Sequence, residues 1–366
     1  MSSLSSSFRP IPVLFLLHFL LFSHIAETRN LAKQRPVNNS VSALFVFGDS
    51  TVDSGNNNYI DTLSKGNFAP YGKDFPNHVP TGRFTNGRLA TDFVASYIGI
   101  KDLIPPYLDP TLSLDDLKTG VCFASAGTGF DPLTAQMNGV IPMQKQMKYF
   151  EEYKSRMEGY IGKDKTKTLI ENAALLISAG TNDFIVNYYG PPIRRKTYTI
   201  SRYQQYVLEL GQQFVQGLVE MGARKIAFVG LPPMGCVPSV ITLNSDNAFT
   251  HRGCIEELSS VARDYNRLLQ NKLTAMQSRD AGFVYIDIYK PLDDMIKKPQ
   301  HYGFDNVNCG CCASGMIEIS ILCNPYSAVC SDDSKYVFWD AVHPTEAAYY
   351  NVFLSVRPVI DRLLKA

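Results

Sequence analysis

Residues 44–51 read Leu-Phe-Val-Phe-Gly-Asp-Ser-Thr, and this stretch decides the fold that we expect. Four consecutive apolar residues, two aromatic and one β-branched, are typical of a strand covered on both faces of its sheet. Gly48 lets the backbone turn where the strand ends, so Ser50 would lie at the carboxyl edge, where open α/β sheets bind ligands. By itself, a Gly-Asp-Ser turn more often caps a helix or closes a loop.

Four further apolar runs have the length of strands, and segments with helical periodicity separate most of them. The runs cover residues 120–127, 173–180, 225–230 and 283–288. The helical segments cover residues 88–97, 141–158, 200–221, 254–276 and 344–364, the last with Pro344 in its first turn. Because crossovers between parallel strands are right-handed, this order predicts an α/β fold, a three-layer α/β/α sandwich with a five-stranded parallel sheet.

The first 26 residues have the pattern of a secretory signal peptide. Arg9 precedes the apolar run 11–22, which has the length of a signal-peptide core, and the small Ala26 is suited to cleavage. The alternative is an uncleaved membrane anchor. The run is short for a bilayer span and no basic cluster follows it, so we expect no stable membrane span and an extracellular, secreted protein.

The remaining chain divides into a polar lead-in and one domain. Residues 27–40 are polar and contain a glycosylation sequon at Asn38. No linker or internal repeat interrupts residues 41–366, for which we predict a single domain.

Eight cysteines fit the oxidising environment outside the cell. A zinc site needs paired thiolates or histidines, whereas two of these cysteines are adjacent and have no histidine pair nearby. We therefore expect disulfides, with Cys236 paired to Cys254 and the cluster at 309–330 paired largely within itself. Cys122 lies in an apolar run and is equally compatible with a buried free thiol.

Charge and motifs exclude several classes of function. Lysine and arginine number 35 against 34 acidic residues, for a net charge of +1, and they form no basic stripe of a nucleic-acid binder. No Walker loop is present, and no Gly-x-Gly-x-x-Gly follows the first strand. We expect no cofactor, no metal and no nucleic-acid partner, and a monomeric protein.

Three of the predicted strands end in small, polar turns: GDS at 48–50, SAGTG at 125–129 and GTND at 180–183. Because parallel strands end at the same edge, a serine hydroxyl, a glycine amide and an asparagine carboxamide would converge there. A hydroxyl that attacks a carbonyl, together with N–H donors for the oxygen that becomes negative, makes an acyl-transfer site.

The base for such a serine is found near the end of the chain. His343 follows Asp340 by three residues, just before the last predicted helix, and the carboxylate would orient the ring and stabilise the imidazolium. A lone histidine is more often a surface or core residue. The other histidines lie in the leader or lack such an acidic partner: His18, His24, His78, His251 and His301.

These blocks together resemble the GDSL-type esterase/lipase family of plants, within the SGNH hydrolase superfamily. The resemblance covers about residues 43–364, and its blocks occur in the family's order: FGDS at 47–50, FASAG at 123–127, AGTND at 179–183 and DAVHP at 340–344. Two further segments are similar to the family and are interpreted as structural turns: TGRFTNG at 81–87 and GLPPMGCVP at 230–238.

The resemblance implies a flavodoxin-like fold of the SGNH hydrolase type and a role for each residue. Ser50 would be the nucleophile, His343 the base and Asp340 its partner. The oxyanion hole would consist of the Ser50 and Gly127 amides with the Asn182 side chain. The leucine that names the family motif is Thr51 here, and the Gly-x-Ser-x-Gly elbow of α/β-hydrolases is absent around Ser50.

Three functions are compatible with these residues. The first is a secreted serine esterase/lipase that hydrolyses carboxylic esters, either small molecules or lipids. The second is an extracellular acyltransferase that uses the same acyl-enzyme and passes the acyl group to an alcohol, as in cuticle-type hydroxyacyl transfer. The third is a secreted binding protein that has lost catalysis. The four blocks are complete, which favours an enzyme.

Overall fold

The structure, a computed structural model, describes residues 41–277, 281–312 and 323–365. The predicted signal peptide, the polar lead-in and the sequon at Asn38 lie outside these residues.

The main sheet consists of four parallel strands in the order β1-β2-β3-β4. They are β1 (Leu44–Gly48), β2 (Ala174–Ser178), β3 (Lys225–Val229) and β4 (Gly282–Ile286). Gly48 is opposite Ser178 at the carboxyl edge. The predicted α/β fold with a parallel sheet is therefore confirmed.

A second, two-stranded parallel sheet pairs β5 (Asn306–Gly310) with β6 (Tyr336–Phe338). The α-helices of the described residues are α1 (Ala90–Tyr97), α2 (Leu114–Leu117), α3 (Pro132–Asn138), α4 (Met143–Ile161), α5 (Lys163–Glu171), α6 (Ile193–Thr197), α7 (Ile200–Glu220), α8 (Pro238–Asn244), α9 (Glu256–Met276), α10 (Tyr289–Lys297), α11 (Pro299–Tyr302) and α12 (Glu346–Lys365).

The main sheet has four strands rather than the predicted five because residues 120–127 are irregular. This segment runs beside β1 and makes two backbone hydrogen bonds with Val46, of 3.1 and 2.7 Å. At the end of β1 the Gly48 carbonyl still accepts the Ser125 N–H of this segment at 2.9 Å, whereas the Gly48 N–H donates to the side-chain oxygen of Gln146 at 2.9 Å. The apolar pattern predicted a fifth strand here, whereas the Gln146 side chain provides the hydrogen-bond acceptor that such a strand would have offered to the Gly48 N–H.

Helices cover both faces of the main sheet, as expected for three layers. On one face, Phe45 and Phe47 of β1 share a buried cluster with residues of α4, α7 and α9. On the other face, Leu44 and Val46 share a second cluster with residues of α1, α10 and α12. Because successive side chains of a strand point to opposite faces of the sheet, β1 contributes side chains to both clusters.

The last helix begins later than the proline pattern predicts. Helix α12 starts at Glu346, and the Thr345 hydroxyl accepts the Ala348 N–H at 3.2 Å, so Thr345 caps the helix. Pro344 therefore precedes the cap and is outside the first turn. The proline inside the helix is Pro358.

Three disulfides join described cysteines. Cys236 pairs with Cys254, and the late cluster contributes Cys311–Cys330 and Cys312–Cys323, so both predictions of pairing are confirmed. Cys122 is a buried free thiol. Among the described residues, no helix is long and apolar enough to cross a membrane.

We predict that Gly48→Ala destabilises the protein by more than about 4 kcal/mol. Gly48 has a φ of +139°, which side chains other than glycine rarely adopt, and an added Cβ would overlap the Ser178 carbonyl oxygen. Chemical denaturation monitored by circular dichroism measures the loss.

The matched control is Gly159→Ala in α4. An added Cβ there meets nothing within 4 Å, and helical alanine is favoured over glycine by about 0.8–1.0 kcal/mol. Equal stability of the Gly48 variant and the wild type would contradict this account of the strand end.

Candidate active site

Ser50 lies in the tight turn that follows β1. The Asp49 N–H donates to the Ser178 carbonyl at 2.9 Å, which extends the pairing with β2 one residue beyond Gly48. Ser50 is only 8% exposed. The end of a buried strand thus holds this hydroxyl at the carboxyl edge of the sheet, as the sequence predicts.

His343 brings its ring to Ser50 from the loop between β6 and α12. Its Nε2 is 2.8 Å from Ser50 Oγ, and its Nδ1 is 2.9 and 2.8 Å from the two carboxylate oxygens of Asp340. When Nδ1 donates to the carboxylate, Nε2 is left to accept the serine proton. Residues separated by 293 positions in the chain therefore form one continuous line of hydrogen bonds.

The Asp340 carboxylate also fixes the backbone of its own loop. Its Oδ1 accepts the N–H groups of Val342 at 2.8 Å and His343 at 2.7 Å. The Trp339 N–H donates to the His343 carbonyl at 2.7 Å and closes the loop. The loop conformation and the ring orientation therefore depend on the same side chain.

Tyr71 is a partner of Asp340 that the sequence analysis did not find. Its hydroxyl donates to Asp340 Oδ2 at 2.8 Å and accepts the Cys323 N–H at 3.2 Å. Burial and the Asp340 charge hold the pKa of Tyr71 well above its usual value, so the phenol keeps its proton. The two residues are 269 positions apart, and no motif surrounds Tyr71 that could have identified it.

The segment 81–87, interpreted from sequence as a structural turn, contacts the histidine loop. The Phe84 ring lies 5.1 Å from the His343 ring, centroid to centroid. Thr85 donates its hydroxyl to the Pro344 carbonyl at 2.9 Å, and the Asn86 side chain accepts the Glu346 N–H at 2.8 Å. The segment therefore packs on the His343 ring and is hydrogen bonded to the backbone that follows it.

Asp49 is buried beside the serine. Its Oδ1 accepts the N–H and the hydroxyl of Thr51, at 3.0 and 2.7 Å. Burial raises the pKa of Asp49 to about 6, although the bonds from Thr51 and the nearby His343 oppose the shift. The Thr51 hydroxyl is also 2.9 Å from Ser178 Oγ, so the residue that replaces the family's leucine ties β1 to β2.

Asn182 lies in the turn that follows β2, and Gly127 is the last residue of the irregular segment 120–127. Asn182 Nδ2 donates to the Thr128 carbonyl at 2.9 Å, and Asn138 donates to the Gly127 carbonyl at 2.6 Å. Neither residue is hydrogen bonded to Ser50 within the described part of the chain. The backbone N–H groups of Ser50 and Gly127 donate to no group among the described residues. They are free to donate to a ligand oxygen.

Although Asp and Asn side chains are mostly exposed in proteins, Asp53, Asn56 and Asn57 hold the segment that carries Gly127. They are at most 1% exposed. Asp53 accepts the Ala126 N–H at 2.9 Å, and Asn57 donates to the Ala126 carbonyl at 3.0 Å. Asn56 donates to two further carbonyls of the same segment, at 2.9 and 2.8 Å.

Asp183, the residue after Asn182, likewise holds a neighbouring segment through its backbone N–H groups. Its carboxylate accepts the N–H groups of Phe130 and Asp131, at 2.8 and 3.1 Å, together with the Thr134 hydroxyl. Burial raises the pKa of Asp183 to about 7. A buried carboxylate thus connects the Asn182 turn to the segment that follows Gly127.

The arrangement combines a hydroxyl, a base within hydrogen-bond distance and free N–H donors at one sheet edge. A base that is oriented by a carboxylate can remove the proton from a serine that attacks a carbonyl carbon. This is the chemistry of acyl transfer, and it requires no group beyond the chain's own residues.

Comparisons with known proteins agree with this chemistry. The family described as GDSL-like Lipase/Acylhydrolase matches residues 44–356. A GDSL esterase/lipase of Arabidopsis thaliana is 54% identical over 91% of this chain and 90% of its own length. Two others from the same plant are 46% identical, over 93% of this chain and 94% of their own length, and 45% identical, over 88% and 90%.

We predict that Tyr71→Phe lowers kcat by about 10–100-fold with little change in KM, because a hydrogen bond to a charged group contributes about 1.5–3 kcal/mol. The measurement is steady-state hydrolysis of an aryl acetate. Tyr265→Phe is the control, since the Tyr265 hydroxyl is buried without a partner among the described residues. If both variants retain wild-type kcat, Tyr71 does not position Asp340.

We predict that Asp49→Asn reduces the loss of stability that accompanies rising pH. The folded pKa of about 6 exceeds the ordinary value of 3.8, so the contribution of the neutral carboxyl is complete below about pH 4 and is lost as pH rises through 6. The difference corresponds to about 3 kcal/mol. Urea denaturation between about pH 4 and pH 7 measures it for both proteins. Parallel profiles would mean that Asp49 does not titrate in this range.

Proposed function

This chain belongs to the GDSL-like lipase/acylhydrolase family, and we propose that it is a secreted esterase whose Ser50 forms an acyl-enzyme with carboxylic esters. Members of the family are hydrolases that act on ester bonds, and the chain is one of them. The nucleophile, the route of proton transfer, the substrates and the location outside the cell are parts of the proposal.

The line of hydrogen bonds from Ser50 through His343 to Asp340 carries the proposal. In the first step Ser50 Oγ attacks the ester carbonyl carbon while its proton passes to His343 Nε2. The imidazolium that forms is stabilised by Asp340, which already accepts from Nδ1. Because the carboxylate holds the ring, Nε2 faces the serine before substrate arrives.

The carbonyl oxygen becomes negative in this step and needs preorganised donors. The free N–H groups of Ser50 and Gly127 are suited to this role. The Asn182 carboxamide donates one of its two N–H groups to the Thr128 carbonyl, and its second N–H remains for the substrate. Loss of one such donor costs about 2.7–4 kcal/mol of transition-state stabilisation. We assign the oxyanion hole to these three groups.

The cycle closes with proton transfers through the same histidine. The protonated His343 gives its proton to the departing alcohol, which leaves the acyl group on Ser50. It then accepts a proton from water, whose oxygen attacks the acyl carbonyl, and returns this proton to Ser50 Oγ as the bond to the acyl group breaks and the acid is released. An acceptor alcohol in place of this water would make the enzyme an acyltransferase.

Secretion is supported by the predicted leader at 1–26 and by the disulfides of the described residues. Disulfides persist in oxidising compartments and are rare in the cytosol. The sequon at Asn38 fits the same route.

The test is replacement of Ser50 by alanine in the purified protein. Hydrolysis of an aryl acetate is expected to fall at least about 10⁴-fold, with the fold unchanged by circular dichroism. Ser259→Ala is the matched control, because its buried hydroxyl in α9 has no partner among the described residues. Unchanged turnover in the Ser50 variant would disprove the assignment.

Two further readouts separate the alternatives. Product analysis in the presence of a polyol distinguishes free acid, which hydrolysis releases, from a new ester, which acyl transfer forms. Labelling with a fluorophosphonate that is lost on Ser50→Ala would exclude an inactive binding protein.

A further inference from the structure

The two faces of the main sheet differ in the size of their side chains. The face towards α4, α7 and α9 carries large residues such as Phe47 and Phe228. The face towards α1, α10 and α12 carries two small residues, Ala174 at the start of β2 and Ala227 in the middle of β3. Small residues on a covered face leave space between the sheet and its helices.

That space is a cavity of about 120 Å³, lined almost wholly by apolar groups. Its walls include both alanines on the sheet side and Val356 and Ile360 of α12 on the helix side. Leu44 and Leu364 line its far end, where the strands begin. An apolar cavity offers no hydrogen-bond partners to hold water and accepts apolar ligands instead.

The other end of the cavity is the candidate active site. His343, Thr51 and Ser178 line it there, and Ser50 Oγ is 2.8 Å from His343 Nε2. Tyr349 also lines the cavity, and its buried hydroxyl has no hydrogen-bond partner among the described residues. The mouth is therefore polar and adjacent to the proposed nucleophile, whereas the depth is apolar.

We propose that this cavity binds the acyl chain of the substrate and that its depth sets the preferred chain length. The proposal rests on the acyl-enzyme at Ser50 described above. With the ester carbonyl at Ser50, a straight alkyl chain would extend from the mouth along β2, between the sheet and α12. The substrates are then esters of unbranched aliphatic acids, and polar acyl groups are excluded.

The residue spacing along β2 gives the length of alkyl chain that would reach each alanine. Along β2, Leu176 is two residue steps from Ser178 and is paired with Ala227, and Ala174 is four steps from Ser178. At about 3.3 Å per residue these steps are about 7 and 13 Å. An extended alkyl chain advances about 1.25 Å per carbon, from a C–C bond of about 1.5 Å. Ala227 thus lies about five carbons from the mouth and Ala174 about ten.

The experiment compares Ala227→Leu and Ala174→Leu with aryl esters of acetic, hexanoic, decanoic and hexadecanoic acid. Turnover of the acetate, whose acyl group ends before it reaches either alanine, is the reference to which the other rates of each variant are normalised. Ala227→Leu should lose at least about tenfold in kcat/KM on the hexanoate and the decanoate, whereas Ala174→Leu should keep the hexanoate and lose only the longer esters. Ala275→Leu, at an exposed site of α9, is the control and should keep the wild-type profile.

The order of the two effects is the decisive outcome. General destabilisation would reduce turnover of all esters alike, and such a result, or an unchanged profile in both variants, would overturn the proposal.

Binding of decanoic acid provides a test that needs no hydrolysis and remains valid if a variant fails to fold. Decanoic acid should raise the melting temperature of the Ser50→Ala protein, whereas acetic acid should not. Unchanged turnover in Ser50→Ala would disprove the nucleophile and leave the cavity tested by this shift. Absence of the shift in an otherwise active enzyme would disprove the cavity alone.

Discussion

The buried carboxylate of Asp340 is the constraint on which the candidate site depends. A charge with no exposure to solvent requires several donors close by. Four N–H or O–H groups satisfy it: the amides of Val342 and His343, the His343 ring and the Tyr71 hydroxyl. Because these groups come from the loop itself and from a distant segment, satisfying one charge fixes both the histidine and the loop.

The same physical rule operates around Gly127. Asp53, Asn56 and Asn57 bond the backbone of residues 122–126 and take the place that a neighbouring strand would occupy. A regular ladder pairs its N–H groups with a neighbouring strand, whereas this segment ends with the Gly127 N–H unpaired. The irregular segment that makes the sheet four-stranded therefore leaves a donor available at its edge.

The sequence predicts those parts of the molecule that depend on local pattern. Continuous apolar runs identify β1 to β4, and the expected disulfide between Cys236 and Cys254 is present. The proximity of Ser50, His343 and Asp340 was expected, because parallel strands end at one edge of the sheet and the motif blocks supply a base for the serine. The contacts that could not be predicted are hydrogen bonds from side chains of distant segments. Gln146 is far in sequence from Gly48, as Tyr71 is from Asp340. The buried residues 53–57 are so polar that their composition is typical of an exposed loop.

The two faces of the sheet divide stability from ligand binding. On the aromatic face, Phe47 lies 5.1 Å from Phe123, 5.6 Å from Phe150 and 5.5 Å from Phe214, and such pairs contribute about 0.5–1.5 kcal/mol each beyond their buried area. On the other face, a cavity of about 120 Å³ corresponds to a loss of packing of about 3 kcal/mol at about 24 cal/mol per Å³. The aromatic contacts of this one residue are of the same order as that loss. A sheet that anchors its nucleophile strand on one face can therefore tolerate loose packing on the other, and the loosely packed face is the one that leads to His343.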